Sequence, residues 1–192
     1  LDQDAQAFEQ AFTAEQYKDE QTSVDRLKHL LHEASIFNVF QEVWGEYEYR
    51  PHYKETKKAR IDFLLTPKKV LLDAGWKYGA IGIECKKSNV KIGHPLSQIM
   101  DYSTAVFRHP FHTVLIKTDF IFLWPLEKMK GAIASLMAQN RFGSVHEERP
   151  DTNWHRLRFF CGEQKVLDYS FRQPDHISIN PKISFGSKTG SR

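Results

Sequence analysis

Five side chains in this sequence have types and spacing that could do chemistry: Asp62, within the largely apolar stretch 59–65; Glu84 and Lys86, on either side of Cys85; and Gln98 and Tyr102, four residues apart. Two carboxylates and a lysine are the groups that metal-assisted cleavage of a phosphodiester requires. A divalent cation polarises the phosphate and lowers the pKa of an attacking water, and hard cations such as Mg²⁺ select carboxylate, carbonyl and water oxygens. Asp62 and Glu84 can supply the carboxylates. Cys85 would offer its backbone carbonyl, because strand alternation turns its thiol into the core. Lys86 can orient the nucleophile or neutralise the negative charge that builds in the transition state.

The elements that must position these groups follow from hydropathy periods. Ile61, Phe63 and Leu65 should share one face of a strand, leaving Asp62 on the other. In the next strand, 80–87, the same period sends Ile81, Ile83 and Cys85 inward and puts Glu84 and Lys86 together on the opposite face, about 7 Å apart. If the two strands are neighbours, all three groups converge. His94 and Pro95 open a helix running to about Phe107, with Gln98 and Tyr102 on one face.

Upstream, Ser23 can cap a helix whose Val24, Leu27, Leu31 and Ala34 form a buried stripe, widened by Leu30 and Phe37, with Glu33 on its flank. Residues 3–20 have the composition of an earlier helix. Residues 43–49 alternate Tyr47 and Tyr49 with Glu46 and Glu48, a strand signal. The connection 66–79 has room for a short strand at Val70–Leu72. Further strands are expected at 113–117 and 120–124, a helix at 126–139, and a hairpin formed by 154–161 and 165–171 around Gly162.

The order helix, strand, strand carrying Arg60, Ile61, Asp62 and Phe63, strand carrying Ile83, Glu84, Cys85 and Lys86, then helix resembles the PD-(D/E)XK nuclease superfamily, over roughly residues 24–124. Gln98 and Tyr102 are similar to the Q-x-x-x-Y motif that follows the active-site strand in its RecB-like and phage-exonuclease branches. The resemblance implies the α/β restriction-endonuclease-like fold, a central mixed sheet flanked by helices. It implies Mg²⁺ or Mn²⁺ as cofactor, Asp62 and Glu84 as metal ligands, and Lys86 as the catalytic lysine. Gln98 and Tyr102 would position substrate or support the site. Many members carry a metal-reaching glutamate on the first core helix. Glu33 is the best match to it, with Glu42 and Glu46 as rivals. The chain also departs from the pattern: Ile61 stands before Asp62 where the literal motif has proline, and there are neither cluster-forming cysteines nor helicase motifs.

Charge is distributed to suit a polyanion. The net charge is only +3, but residues 1–49 carry three Lys/Arg against eleven Asp/Glu, whereas residues 50–91 carry eleven against four. The basic excess therefore surrounds the candidate site, and Lys57, Lys58, Arg60, Lys87 and Lys91 are the expected DNA contacts. Two cysteines are too few for a disulfide framework, which favours a reducing, cytoplasmic setting. No apolar run reaches membrane-spanning length. The first residues lack the pattern of a retained secretory signal, and Leu at position 1 suggests an excised piece. His29 with His32, and His109 with His112, make a histidine metal site conceivable, but ordinary surface positions suffice for them.

With 192 residues, one domain is expected over 1–180, with a flexible tail at 181–192. The expected activity is Mg²⁺-dependent hydrolysis of DNA, processing ends or single strands in recombination, repair or defence. A structure-specific or restriction-type endonuclease is the alternative enzyme. A noncatalytic nucleic-acid-binding module of the same fold is the alternative from another class. Expected partners are DNA and either a homo-oligomer or a larger nucleic-acid-processing assembly.

Overall fold

The computed structural model describes residues 19–50, 55–87, 93–125, 131–151, 154–171 and 176–179. Residues 3–18 of the expected helix over 3–20, the tail from 181 and Lys91 lie outside them, and Asp19 and Glu20 belong to the start of the next helix. The elements run α1 (Glu20–Ala34), β1 (Phe37–Arg50), β2 (Glu55–Pro67), α2 (Lys69–Asp73), β3 (Ala80–Cys85), α3 (Gly93–Tyr102), β4 (Val106–Arg108), β5 (Leu115–Ile116), β6 (Thr118–Trp124), α4 (Gly131–Gln139), β7 (Phe142–Asp151), β8 (Trp154–Cys161), β9 (Gln164–Phe171) and β10 (His176–Ile179).

The strands form one mixed sheet in the order β10-β9-β8-β7-β6-β3-β2-β1-β4-β5. β1, β2 and β3 are an antiparallel meander. The chain then passes through α3, β4 and β5 to β6, which returns parallel to β3, and through α4 to β7, parallel to β6. β3 is therefore central, and all six of its residues are buried, as expected of a strand covered on both faces. Helices cover both: Leu27, Leu30, Leu31 and Ala34 of α1 join one core cluster with Phe63, Ile81, Ile83, Cys85 and Phe122, while Ile99 and Tyr102 of α3 join the other with Ile61, Leu64, Ile121 and Leu123. A mixed α/β fold with a large sheet flanked by helices agrees with the sequence expectation at that level. Among the described residues no helix is long and apolar enough to cross a membrane.

Several boundaries differ from expectation. Asp19, not Ser23, caps α1, its Oδ1 accepting from the Thr22 N–H at 2.7 Å. Ser23 is buried one turn inside the helix, and its carbonyl accepts from the Trp124 indole N–H at 3.0 Å. Val70–Leu72 is helical, within α2, because only Leu71 finds the core while Lys69 and Asp73 pair at i,i+4 on the exposed side. α3 stops at Tyr102, five residues before the expected end, and Val106–Arg108 instead adds a strand to β1.

The most consequential difference lies in β2. Phe63 and Leu65 enter the core on the α1 side, but Ile61 enters the core on the α3 side, so the period of two breaks around Asp62. Directly across, between the pairs Gln41–Phe63 and Val43–Ile61, Glu42 has φ 50°. That left-handed conformation is unusual for a residue with a side chain. It lets β1 change faces in step with β2. Gly82 makes room for the displaced Ile61, because a Cβ there would overlap the Ile61 methyl.

Candidate active site

β2 and β3 pair through Leu65–Ile81, Leu64–Gly82 and Phe63–Ile83. Past that point the Cys85 N–H donates to Asp62 Oδ2 at 2.6 Å, so a side-chain carboxylate takes the place of a ladder carbonyl. On its other side β3 stays paired with β6, and the Lys86 N–H donates to the Trp124 carbonyl at 2.7 Å. The Lys86 backbone is thereby anchored just past the end of the central strand. Its ammonium reaches Glu84 Oε1 at 2.7 Å, the side chains being 15% and 4% exposed.

The helix α3 contributes the remaining contacts. Gln98 Nε2 donates to Glu84 Oε1 at 2.6 Å and to the Tyr102 hydroxyl at 2.8 Å, and that hydroxyl donates to the Arg60 carbonyl at 2.9 Å. Gln98 and Tyr102 thus couple α3 to both strands. Asp62, Glu84, Cys85, Lys86, Gln98 and Tyr102 are brought together, as their spacing suggested.

The electrostatics of this group are strained. Burial first, and then the like charge of Asp62, push the Glu84 carboxyl up to about 7, although Lys86 acts against the shift. Asp62 is also raised, mainly by burial, with the Cys85 N–H and Lys86 opposing. Burial works against the Lys86 charge, but Glu84, Glu20 and Asp62 outweigh it and hold the ammonium above its ordinary range. The Cys85 thiol, fully buried, is pushed well up by burial and by the surrounding carboxylates, so it stays a protonated core group.

Glu20 is the acidic residue that sequence reasoning missed. Its charge is felt at Asp62, Glu84, Cys85 and Lys86. The reason is geometric: the Trp124–Ser23 hydrogen bond fixes the start of α1 over the end of β6, and Glu20 lies one turn before Ser23. An exposed acid in a first helical turn reads as helix-dipole complementation, which hid it. Glu33 sits thirteen residues further on, about 20 Å along the axis, and its Oε1 lies 3.5 Å from His29 Nε2. Of its rivals, Glu42 pairs with Arg60 at 3.6 Å and Glu46 with Arg108 at 3.0 Å. The basic residues Lys57, Lys58 and Arg60 lie exposed along β2 leading away from Asp62, and Lys87 is exposed beside Lys86.

The donor set can be tested against a hard divalent cation. Both donors to Glu84 use Oε1, while Glu84 Oε2 and Gln98 Oε1 are buried without a hydrogen-bond partner. Buried oxygens in that condition cost on the order of 1–3 kcal/mol each, and a cation would satisfy the carboxylate one while relieving the Asp62–Glu84 repulsion. Among the described residues no three His, Cys, Asp or Glu side chains are grouped closely enough to hold a metal by themselves. The set therefore suits an ion bound through two carboxylates with waters and substrate oxygens completing its shell, which is the habit of Mg²⁺. No protein-family model, no curated protein and no solved structure matches the chain.

Proposed function

We propose that this protein is a divalent-metal-dependent nuclease that hydrolyses DNA phosphodiesters at the Asp62–Glu84–Lys86 cluster. The observation that carries the reading is Glu84: a nearly fully buried carboxylate beside a second one, with one oxygen held by Lys86 and Gln98 and the other without a partner. A purely structural acid would have both oxygens satisfied, as Asp168 has. Supporting it is the order α1, β1, β2, β3, α3, β6, with the cluster at the end of the central strand, which fits the PD-(D/E)XK resemblance.

Asp62 and Glu84 would hold Mg²⁺ or Mn²⁺, with Cys85 offering its carbonyl. When bound, the ion supplies Lewis acidity for the phosphate and for the attacking water. Lys86, fixed at the end of the strand, would place its ammonium against the charge that develops on the scissile phosphate. Gln98 would keep Glu84 oriented, and Tyr102 would tie the helix to the Asp62 strand through the Arg60 carbonyl. The exposed Lys57, Lys58, Arg60 and Lys87 would attract the phosphate backbone.

The test is incubation of linear duplex, closed circular duplex and single-stranded DNA with Mg²⁺, Mn²⁺ or EDTA. Wild type should cut at least one substrate in the metal buffers only, and Lys86→Ala should lower the rate by about a hundredfold or more. Cutting of linear but not closed circular DNA identifies an exonuclease, and cutting of the circle an endonuclease. No cleavage by wild type, or undiminished cleavage by both Lys86→Ala and Asp62→Ala, would sink the proposal.

A further inference from the structure

Beside the cluster, the β1–β2 arm bears an exposed indole that neither the core nor the proposed chemistry uses. Trp44 is 55% exposed and sits across the strands from Arg60. The Arg60 guanidinium lies 5.9 Å from the centroid of its ring, within cation–π range. Arg60 is two residues from Asp62, about 7 Å along the strand. Its carbonyl is fixed by Tyr102, so the backbone that carries the guanidinium is part of the same hydrogen-bonded network as Glu84.

The positive charge of this face is partly offset. Lys58 and Arg60 face Glu46 and Glu42, and Arg108 is also engaged with Glu46. The charges nearly balance, so the exposed aromatic surface is what distinguishes it. Aromatic rings backed by arginine stack on the faces of unpaired bases, a contact worth a substantial factor in affinity and indifferent to sequence. A base within a duplex has both faces covered by its neighbours, so a side chain reaches one only at the cost of unstacking a base step.

We infer that Trp44, with Arg60 as its cationic partner, is a base-stacking platform that holds an unpaired nucleotide of single-stranded DNA on the strand arm adjoining Asp62. As a statement about substrate it rests on the nuclease reading. As a statement about binding it can be tested apart from cleavage.

The experiment measures binding of a fluorescein-labelled 20-nucleotide oligo(dT), and of a labelled duplex of the same length, by anisotropy in EDTA, where no cutting occurs. Wild type should bind the single strand, and Trp44→Ala should weaken that binding about tenfold while Trp44→Phe, which keeps a ring, stays within about threefold of wild type. Duplex binding should be the same for all three proteins. Equal single-strand binding by wild type and Trp44→Ala, an equal loss on single strand and duplex, or no single-strand binding by wild type would each overturn the inference. Failure of cleavage with this binding pattern intact would sink the nuclease reading alone. Metal-dependent cleavage with binding indifferent to Trp44 would sink the platform alone.

Discussion

Glu84 and Asp168 are both carboxylates buried to within a few per cent in the same sheet, and their surroundings treat them in opposite ways. Asp168, on β9, accepts from Arg156 Nε and Nη2 at 2.6 and 2.8 Å and from the Lys165 ammonium at 2.6 Å, with Arg158 Nε at 3.6 Å. Burial alone would raise its pKa, but Arg156 and Lys165 outweigh burial and hold it below the ordinary value. Glu84 has one ammonium, one amide and a second carboxylate nearby, and burial wins. The difference separates two uses of a buried acid. Asp168 is fully compensated and cross-links β8 and β9. Glu84 is under-compensated beside the point where β2 and β3 cease to pair, which is what the proposed cation site requires.

The comparison can be broken first at Asp168. Asp168→Ala would leave two arginines and a lysine around an empty position, and should cost about 3 kcal/mol of unfolding free energy, since removing one partner of a buried pair strands the others. Chemical denaturation measures it. A loss under 1 kcal/mol would mean that the network is ornamental.

The two acids should also leave opposite pH signatures. Glu84 has its folded pKa raised from 4.5 to about 7, so its contribution to stability is fully present below the unfolded value and is lost as pH rises through 7. The stability of Glu84→Gln relative to wild type should therefore improve by on the order of 3 kcal/mol between pH 4 and pH 8. Asp168 is depressed, so its contribution is present above its unfolded value and is lost as pH falls through the folded one. Asp168→Asn should accordingly approach wild-type stability only in acid. Parallel pH profiles for the two variants would remove the distinction.

Mg²⁺ should sharpen it further. At a hundred times its dissociation constant the ion should stabilise wild type at pH 8 by about 2.7 kcal/mol, and Glu84→Gln by much less. Asp168→Asn should respond as wild type does. The smallest effect is expected at Tyr102→Phe, which leaves the Arg60 carbonyl without its hydroxyl donor and should cost about 1 kcal/mol in thermal or chemical unfolding.

Much of the site was legible because β3 obeys its period strictly: Ile81, Ile83 and Cys85 face one core, and Glu84 with Lys86 face the other way. The α1 stripe and the β8–β9 hairpin around Gly162, with φ 59°, were legible for the same kind of reason. Asp62 was found by residue type, but the face change around it was not foreseeable, since it depends on Glu42 adopting a left-handed backbone across the ladder. No strand was expected at β7, because Glu147 and Glu148 interrupt its apolar pattern; in the fold Arg26 and His155 face Glu147, and Arg156 with Arg158 faces Glu148. Glu20 and Trp44 were illegible because their significance is tertiary: each is an ordinary exposed residue until the Trp124–Ser23 bond sets the first over the end of β6 and the pairing with Arg60 sets the second on the arm that carries Asp62.

The proposal that Glu84 helps to hold a divalent cation is tested most directly by calorimetric titration of Mg²⁺ or Mn²⁺ at pH 6.5 in buffers of different ionisation enthalpy. At that pH a Glu84 with pKa about 7 is mostly protonated, so binding should release about three-quarters of a proton per protein from it, and both binding and release should vanish in Glu84→Gln. Binding that is equally tight in Glu84→Gln, or no binding to wild type at millimolar metal, would contradict the account.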